Sequence, residues 1–256
     1  DGKALQSGTT HYFGTGFAEA FGITFQGKDN VLRNPHQASW GVSTRLIGSI
    51  IMVHGDDNGL VLPPFVAPIQ VVIIPIQQNK EGILDKANEI KEHLEKAGYR
   101  VSLDDSDRTP GWKYAEHEMK GVPLRLELGP RDLEKNQVVI ARRVDGHKSF
   151  VKNEDIESEV ARLLKETHEE MYRKAQEFLK SHIVEVKNVQ ELKNVVDVGG
   201  YAKMMWCGER ACEDKIKELT TATARCMPHG DHEHFADECA VCGKKAEKVV
   251  YFAKAY

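Results

Sequence analysis

Residues 38–64 read ASWGVSTRLIGSIIMVHGDDNGLVLPP. The stretch turns between Gly41 and Arg45, runs apolar from Leu46 to Val53, and bends again through the polar His54-Gly55-Asp56-Asp57. It closes on Leu60-Val61-Leu62 and a Pro63-Pro64 stop. Arg45 stands at the mouth of a segment whose apolarity predicts burial. A guanidinium taken out of water needs an anionic partner, so the position predicts an anion nearby. A core helix or strand that merely begins with an arginine fits the same residues.

Outward from that stretch, 256 residues with 41% hydrophobic and 29% charged side chains describe a globular chain of one to three domains. No apolar run is long enough to span a bilayer, and Gly48 and Ser49 break the Leu46–Val53 run. The net charge of −4 argues against a protein that coats nucleic acid indiscriminately, while leaving room for a structured RNA held by a few placed contacts. The opening DGKALQSG has neither an initiator methionine nor a signal-peptide core, which predicts the C-terminal part of a longer polypeptide.

An α/β pattern follows the Pro64–Pro68 linker. The β-branched run at Gln70–Ile76 predicts a buried strand. Residues 81–97 space Leu84 or Ile83, Ala87, Ile90 and Leu94 at helical steps before a Gly98 stop. Further strands are expected at 100–103, 122–128 and 137–142, with a short helix from Pro110 to Gly121. Strands alternating with helices predict a mixed sheet with helices packed on it. Residues 155–181 form a long amphipathic helix, its apolar side running from Ile156 through Met171 to Phe178. A shorter helix at 188–195 leads to a Gly199-Gly200 turn.

All five cysteines lie between Cys207 and Cys242, which suits a metal site in a reducing compartment such as the cytoplasm better than a disulfide framework. Cys207-x4-Cys212 and Cys239-x2-Cys242 are two thiolate pairs that can complete a tetrahedron around zinc. A zinc with four protein ligands keeps no open position, so its role would be structural. Free buried cysteines are the alternative, and Cys226 lies apart from both pairs. His229, His232 and His234 could serve as ligands but read better as a solvated loop.

The run Ser39-Trp40-Gly41, Ser43-Thr44-Arg45, Ile47-Gly48 and His54-Gly55-Asp56-Asp57 through Pro63-Pro64 resembles motif 3 of class II aminoacyl-tRNA synthetases. Within that class it is most similar to prolyl-tRNA synthetases of the archaeal/eukaryotic-like type. QSGTTHYFG (6–14), the cysteine spacing and the final VVYFAKAY extend the resemblance over essentially the whole chain. By this resemblance, Arg45 holds ATP, and Gln6 and Thr9 face the nucleotide. His11, Ser39 and Trp40 form the rim and wall of a proline pocket, and Tyr256 lies near the active site; a plain edge strand with an aromatic end is the alternative reading of the tail. GWKYAEHEMKGVPLRLELGPRDL (111–133) resembles the anticodon-binding domain, where Glu118, Arg125 and Arg131 would read unpaired bases through carboxylate and guanidinium hydrogen bonds. Basic and acidic residues nearly balance around this segment, so no broad basic patch adds to the match.

The resemblance implies α/β and α+β domains in series. These are the end of an antiparallel-sheet catalytic domain (1–66), a mixed-sheet anticodon-binding domain with the long helix after it (67–180), and a small α/β zinc-binding domain (181–256). It implies proline–tRNA ligase activity with proline, ATP, magnesium and tRNA(Pro), and a homodimer formed through upstream motif 1. Motifs 1 and 2 are expected before Asp1, so this stretch alone would not complete the reaction. A threonyl, histidyl or glycyl sister enzyme and a non-catalytic RNA-binding zinc module are the competing readings.

Overall fold

The computed structural model describes residues 2–230 and 233–256. It divides into two compact units, Ile50–Glu177 on one side and Asp1–Ser49 with Phe178–Tyr256 on the other. None of its helices is long and apolar enough to cross a membrane.

The first residues form β1 (Thr9–Gly14), α1 (Gly16–Ala20), β2 (Phe25–Gln26), β3 (Leu32–Arg33), β4 (Gln37–Gly41) and α2 (Arg45–His54). β1 and β4 make a two-stranded antiparallel sheet, and β2 and β3 a short hairpin. The Leu46–Val53 run, expected to be buried, is helical with no buried residue; Ile47 is 61% and Val53 57% exposed. Apolarity predicts burial only where a partner surface is present, and this helix is covered only in part, with Leu46 and Ile50 half-buried. Of the helix and strand alternatives open for this run, the helix is the one formed. Gly48 and Ser49 interrupt the apolar run without ending the helix, which tolerates each at modest cost.

The middle of the chain builds β5 (Val71–Pro75), α3 (Ile83–Lys96), β6 (Val101–Leu103), α4 (Pro110–Met119), β7 (Leu124–Leu128), α5 (Pro130–Glu134), β8 (Gln137–Arg142), β9 (Lys148–Lys152) and α6 (Ile156–Ser181). The sheet order is β6-β5-β7-β8-β9, with β5 parallel to β6 and β7 and the β7-β8-β9 side antiparallel. β5 is buried along its whole length, as its β-branched run predicts. One sheet face packs Val71, Ile73, Leu124, Leu126 and Ile140 against Ala87, Ile90 and Leu94 of α3 and Val160, Leu163 and Leu164 of α6. On the other face Val72, Ile74 and Val122 meet Ile69 and Tyr114. Burial in α6 ends at Met171. Phe178, expected on the apolar side, is 53% exposed and stacks on His182 with ring centroids 3.9 Å apart.

The turn after α2 is stitched to α4. Leu60 N donates to Met119 O at 3.0 Å and Leu62 N to Gly121 O at 3.4 Å. Gly59 sits at φ +129° with its α-carbon so close to Met119 that a β-carbon would lie 2.6 Å from Met119 Cα. Only glycine fits that approach.

The last part contains β10 (Ile183–Val186), α7 (Val189–Asp197), β11 (Tyr201–Trp206), α8 (Arg210–Thr220), β12 (Thr223–Cys226) and β13 (Lys248–Ala253). Its sheet runs β10-β11-β13-β12, with only the β10–β11 pair parallel. Val186, Leu192, Val196, Met204, Ile216 and Phe252 form its core. The tail is therefore an interior strand, hydrogen-bonded on both sides, which excludes the edge-strand alternative. Beyond it the backbone is pinned to the first residues: Ala4 N donates to Lys254 O at 2.9 Å, and Tyr256 N to Ala4 O at 3.0 Å.

Candidate functional site

Three groups of side chains stand out. The first lies around β1, β4 and the start of α2. Arg45 Nη1 reaches Gln6 Oε1 at 3.3 Å and Gln6 O at 3.5 Å, so the two residues are joined 39 positions apart. Cross-strand pairs are Thr9 with Gly41, Thr10 with Trp40, and His11 with Ser39. Strand alternation puts Thr9, His11 and Ser39 on one face and Trp40 on the opposite one. His11 stacks on Phe13 at 5.6 Å, while Trp40 is 77% exposed. Gln6 with Arg45, and Thr9 with His11 and Ser39, are thus two local sets, and Trp40 is not drawn into the second.

The second group is a cleft of about 70 Å³ bounded by His117 and Glu118 of α4, Arg125 of β7, and Arg142 and Arg143 at the end of β8. The alternation in Leu-Arg-Leu-Glu-Leu sends Leu124, Leu126 and Leu128 into the core and Arg125 and Glu127 to the other face. Arg125 Nε donates to Glu127 Oε1 at 3.0 Å, and its guanidinium lies 4.1 Å from the Tyr114 ring centroid. Lys148 donates to both Glu127 oxygens at 2.8 and 3.0 Å. Burial first, and then the Glu127 charge, push the Tyr114 hydroxyl up to about 12. Arg125 is therefore held by a salt bridge on one edge and an aromatic ring on one face.

Glu118 is fixed through its backbone, whose carbonyl accepts from Arg143 Nε at 2.9 Å. Arg143 is itself clamped by both carboxylate oxygens of Asp56. That clamp holds the Asp56 carboxyl below its ordinary range, against the opposing effect of burial. Deeper in the same helix, Lys113 donates to Asp104 O at 2.7 Å and His117 Nε2 pairs with Asp104 Oδ2 at 2.9 Å. Burial raises the Asp104 carboxyl, and the bonds from Ser106 and His117 with the Lys113 charge outweigh it, leaving the group below its usual range. Arg131, at the start of α5, is exposed and is not among the residues bounding the cleft. The sequence reading missed Tyr114, Glu127, Arg142, Arg143 and Lys148. The alternation in β7 was the one available signal, and it pointed to Glu127.

The third group is the cysteine cluster. Cys207 follows β11 and Cys212 sits in the first turn of α8, while Cys239 and Cys242 lie on a turn closed by Gly243 N to Cys239 O at 2.9 Å. Gly208 and Gly243, each next to a cysteine, take φ of +87° and +69°, the left-handed conformation that lets a chain fold back round an ion. The four sulfurs lie within 4.8 Å of one another, with Cys207 Sγ 3.7 Å from Cys212 Sγ and 3.8 Å from Cys242 Sγ. Burial raises the Cys239 thiol, but backbone N–H groups of Val241, Cys242 and Cys207 overcome it and bring it down to about 7. Four converging thiols with N–H groups aimed at one of them fit a tetrahedral thiolate-bound cation.

Among the described residues this is the one such group, and Cys226 is exposed outside it. His234 pairs with Asp237 at 2.8 Å and His229 is exposed; His232 lies outside the described residues.

Family models match two parts of the chain. Residues 70–163 match the anticodon binding domain, and residues 189–256 match the prolyl-tRNA synthetase C-terminal domain. A proline–tRNA ligase of Agathobacter rectalis is 54% identical over 257 aligned residues, covering the whole chain and 53% of that protein. A proline–tRNA ligase 2 of Bacillus cereus is 53% identical over 257 residues, again across the whole chain and 54% of its own length. The Oceanobacillus iheyensis proline–tRNA ligase is 52% identical over 256 residues. The chain spans about half the length of the curated relatives it matches.

Proposed function

We propose, on the premise that this chain carries the C-terminal portion of a prolyl-tRNA synthetase, that the protein to which it belongs is a proline–tRNA ligase. The proline carboxylate attacks the α-phosphorus of ATP and releases pyrophosphate. A terminal hydroxyl of tRNA(Pro) then attacks the carbonyl carbon of prolyl-adenylate and releases AMP. Full-length identity above 50% to proteins of that name carries the reading.

Within it, Arg45 binds the nucleotide, its guanidinium pre-oriented by Gln6, and Gln6 and Thr9 face the nucleotide. His11 and Ser39 line the proline side from one strand face, and Trp40 serves from a neighbouring wall. Such positioning groups act chiefly by fixing the reactants and stabilising charge at phosphorus. Magnesium brought in with ATP neutralises phosphate charge. The catalytic domain's end is assigned to 1–66, the anticodon-binding domain with its helix to 67–180 and a zinc-binding domain to 181–256. Glu118 and Arg125 read anticodon bases from the cleft, with Arg131 reaching in when RNA is bound. Cys207, Cys212, Cys239 and Cys242 would hold a zinc ion that stabilises the C-terminal fold. A cytoplasmic homodimer completes the proposal.

Amino-acid-dependent ATP–pyrophosphate exchange by the full polypeptide tests it. Exchange stimulated by proline alone, and abolished in Arg45→Ala, is the expected result. Exchange with threonine or another amino acid, or none from a folded protein, overturns it.

A further inference from the structure

The sheet of residues 71–152 has one face that α4 covers only in part. In register across that face run Arg125, Ala141 and Lys148, and beside them Glu127, Val139 and Phe150. Gln137 and Lys152 form the next pair. β9 therefore presents Lys148, Phe150 and Lys152 at alternate positions, about 7 Å apart by strand geometry. Phe150 is 72% exposed, and the Lys152 side chain equally so.

Charge on an edge strand is ordinary protection against edge-to-edge pairing. A single exposed phenylalanine is ordinary by itself too; this one matters because it stands between two lysines on the face that carries the cleft. Arg125 and Lys148 both bind Glu127, and Asp132 stands close by, accepting from Gln137 at 3.3 Å. Lys152 meets Glu154 only at 3.8 Å, with both side chains open to water, a pairing that holds neither firmly. The Tyr114 ring underlies both Arg125 and Lys148, with centroids 4.1 and 5.6 Å from their charges, so the stripe is continuous with the Glu118–Arg125 cleft.

We propose that Phe150 is a stacking platform for an unpaired RNA base, with Lys148 and Lys152 facing the flanking phosphates. It would hold a nucleotide next to those read in the cleft. An aromatic ring on an open sheet with a cation on either side is the arrangement by which single-stranded RNA is bound without reading its sequence. The inference rests on the anticodon reading of the neighbouring cleft. It adds a contact that supplies affinity rather than discrimination.

The test uses the full polypeptide and a tRNA(Pro) transcript carrying 2-aminopurine at anticodon-loop positions, with binding and fluorescence followed together. Phe150→Ala should weaken binding about 5- to 100-fold and remove the quenching at one loop position. Phe150→Tyr should restore both. Lys152→Ala should lower the slope of log affinity against log salt by about one. Proline-dependent pyrophosphate exchange, which needs no tRNA, should be unchanged in Phe150→Ala and so reports an intact fold.

If Phe150→Ala binds and quenches like the wild type while Arg125→Ala does not bind, the stacking inference falls and the anticodon reading stands. If neither substitution alters binding, both fall. A change in particle mass on Phe150→Ala, with tRNA affinity unaltered, would make this face a protein interface and overturn the proposal.

Discussion

Asp56 and Arg143 are joined by a two-pronged ion pair at 2.8 and 2.5 Å, although 87 residues separate them in sequence. Arg143 then hands a third bond to the Glu118 carbonyl. The polar turn after α2 thereby acts as a brace for the cleft, since the residue it fixes belongs to the cleft wall.

Replacing Asp56 with Asn should destabilise the Ile50–Glu177 unit by about 1–2 kcal/mol at neutral pH. Breaking a buried pair usually costs more, but the Asp56 side chain is 44% exposed and water screens part of the loss. The sign of the pH dependence follows from the lowered Asp56 carboxyl. Its contribution is present above the unfolded value of 3.8 and is lost as pH falls through the folded one. Urea titrations should therefore separate variant and wild type at pH 7 and bring them together in strong acid.

Gly59→Ala should lower stability by about 3 kcal/mol, because the added carbon meets the Met119 backbone and the glycine conformation is strained for alanine. Gly146→Ala provides the comparison. It has φ of +68° and open space around it, so only the backbone term of about 1 kcal/mol applies. Equal losses in denaturant melts would show that crowding at Met119 is relieved by movement.

Gln6→Ala should raise KM for ATP about fivefold in pyrophosphate exchange, with kcat little changed. Losing one hydrogen bond that orients Arg45 is worth about 1 kcal/mol. An equal drop in kcat would instead place the Gln6 bond in the transition state.

Purified protein should carry one equivalent of zinc, and Cys239→Ser should lose it. Thiolate ligands compete with protons, so retention should fall as the solution is acidified. Chelation should raise hydrogen exchange in the β10–β13 sheet while leaving the β5–β9 sheet protected. Metal analysis and exchange mass spectrometry read the two effects.

Where sequence periodicity coincided with burial, the fold was legible. The β-branched run of β5, the helical spacing of α3 and the alternation of β7 each named their element because a core stood behind it. The α2 run misled for the converse reason, since apolarity does not say whether a partner surface is present. β9 escaped notice because Lys-Ser-Phe-Val-Lys buries one residue only. Of the candidate sites, the cysteine pairs were readable from spacing, as thiols must converge to share an ion. The Arg125–Tyr114–Lys148 platform was not, because cross-strand register and a helix packed above it bring those residues together, and neither is written locally.

β13 occupies the middle of its sheet, yet it is made of residues 248–253, and the Ala4–Ala255 bridge ties it to the first strand-like residues. A ribosome delivers the Ile50–Glu177 unit whole while the β10–β13 sheet still lacks an inner strand. Folding is thus ordered in time: the Ile50–Glu177 unit can close on itself during synthesis, and the β10–β13 sheet must wait for residues 248–253. A nascent chain arrested before residue 248 should resist protease across residues 50–177 and be cut readily after them.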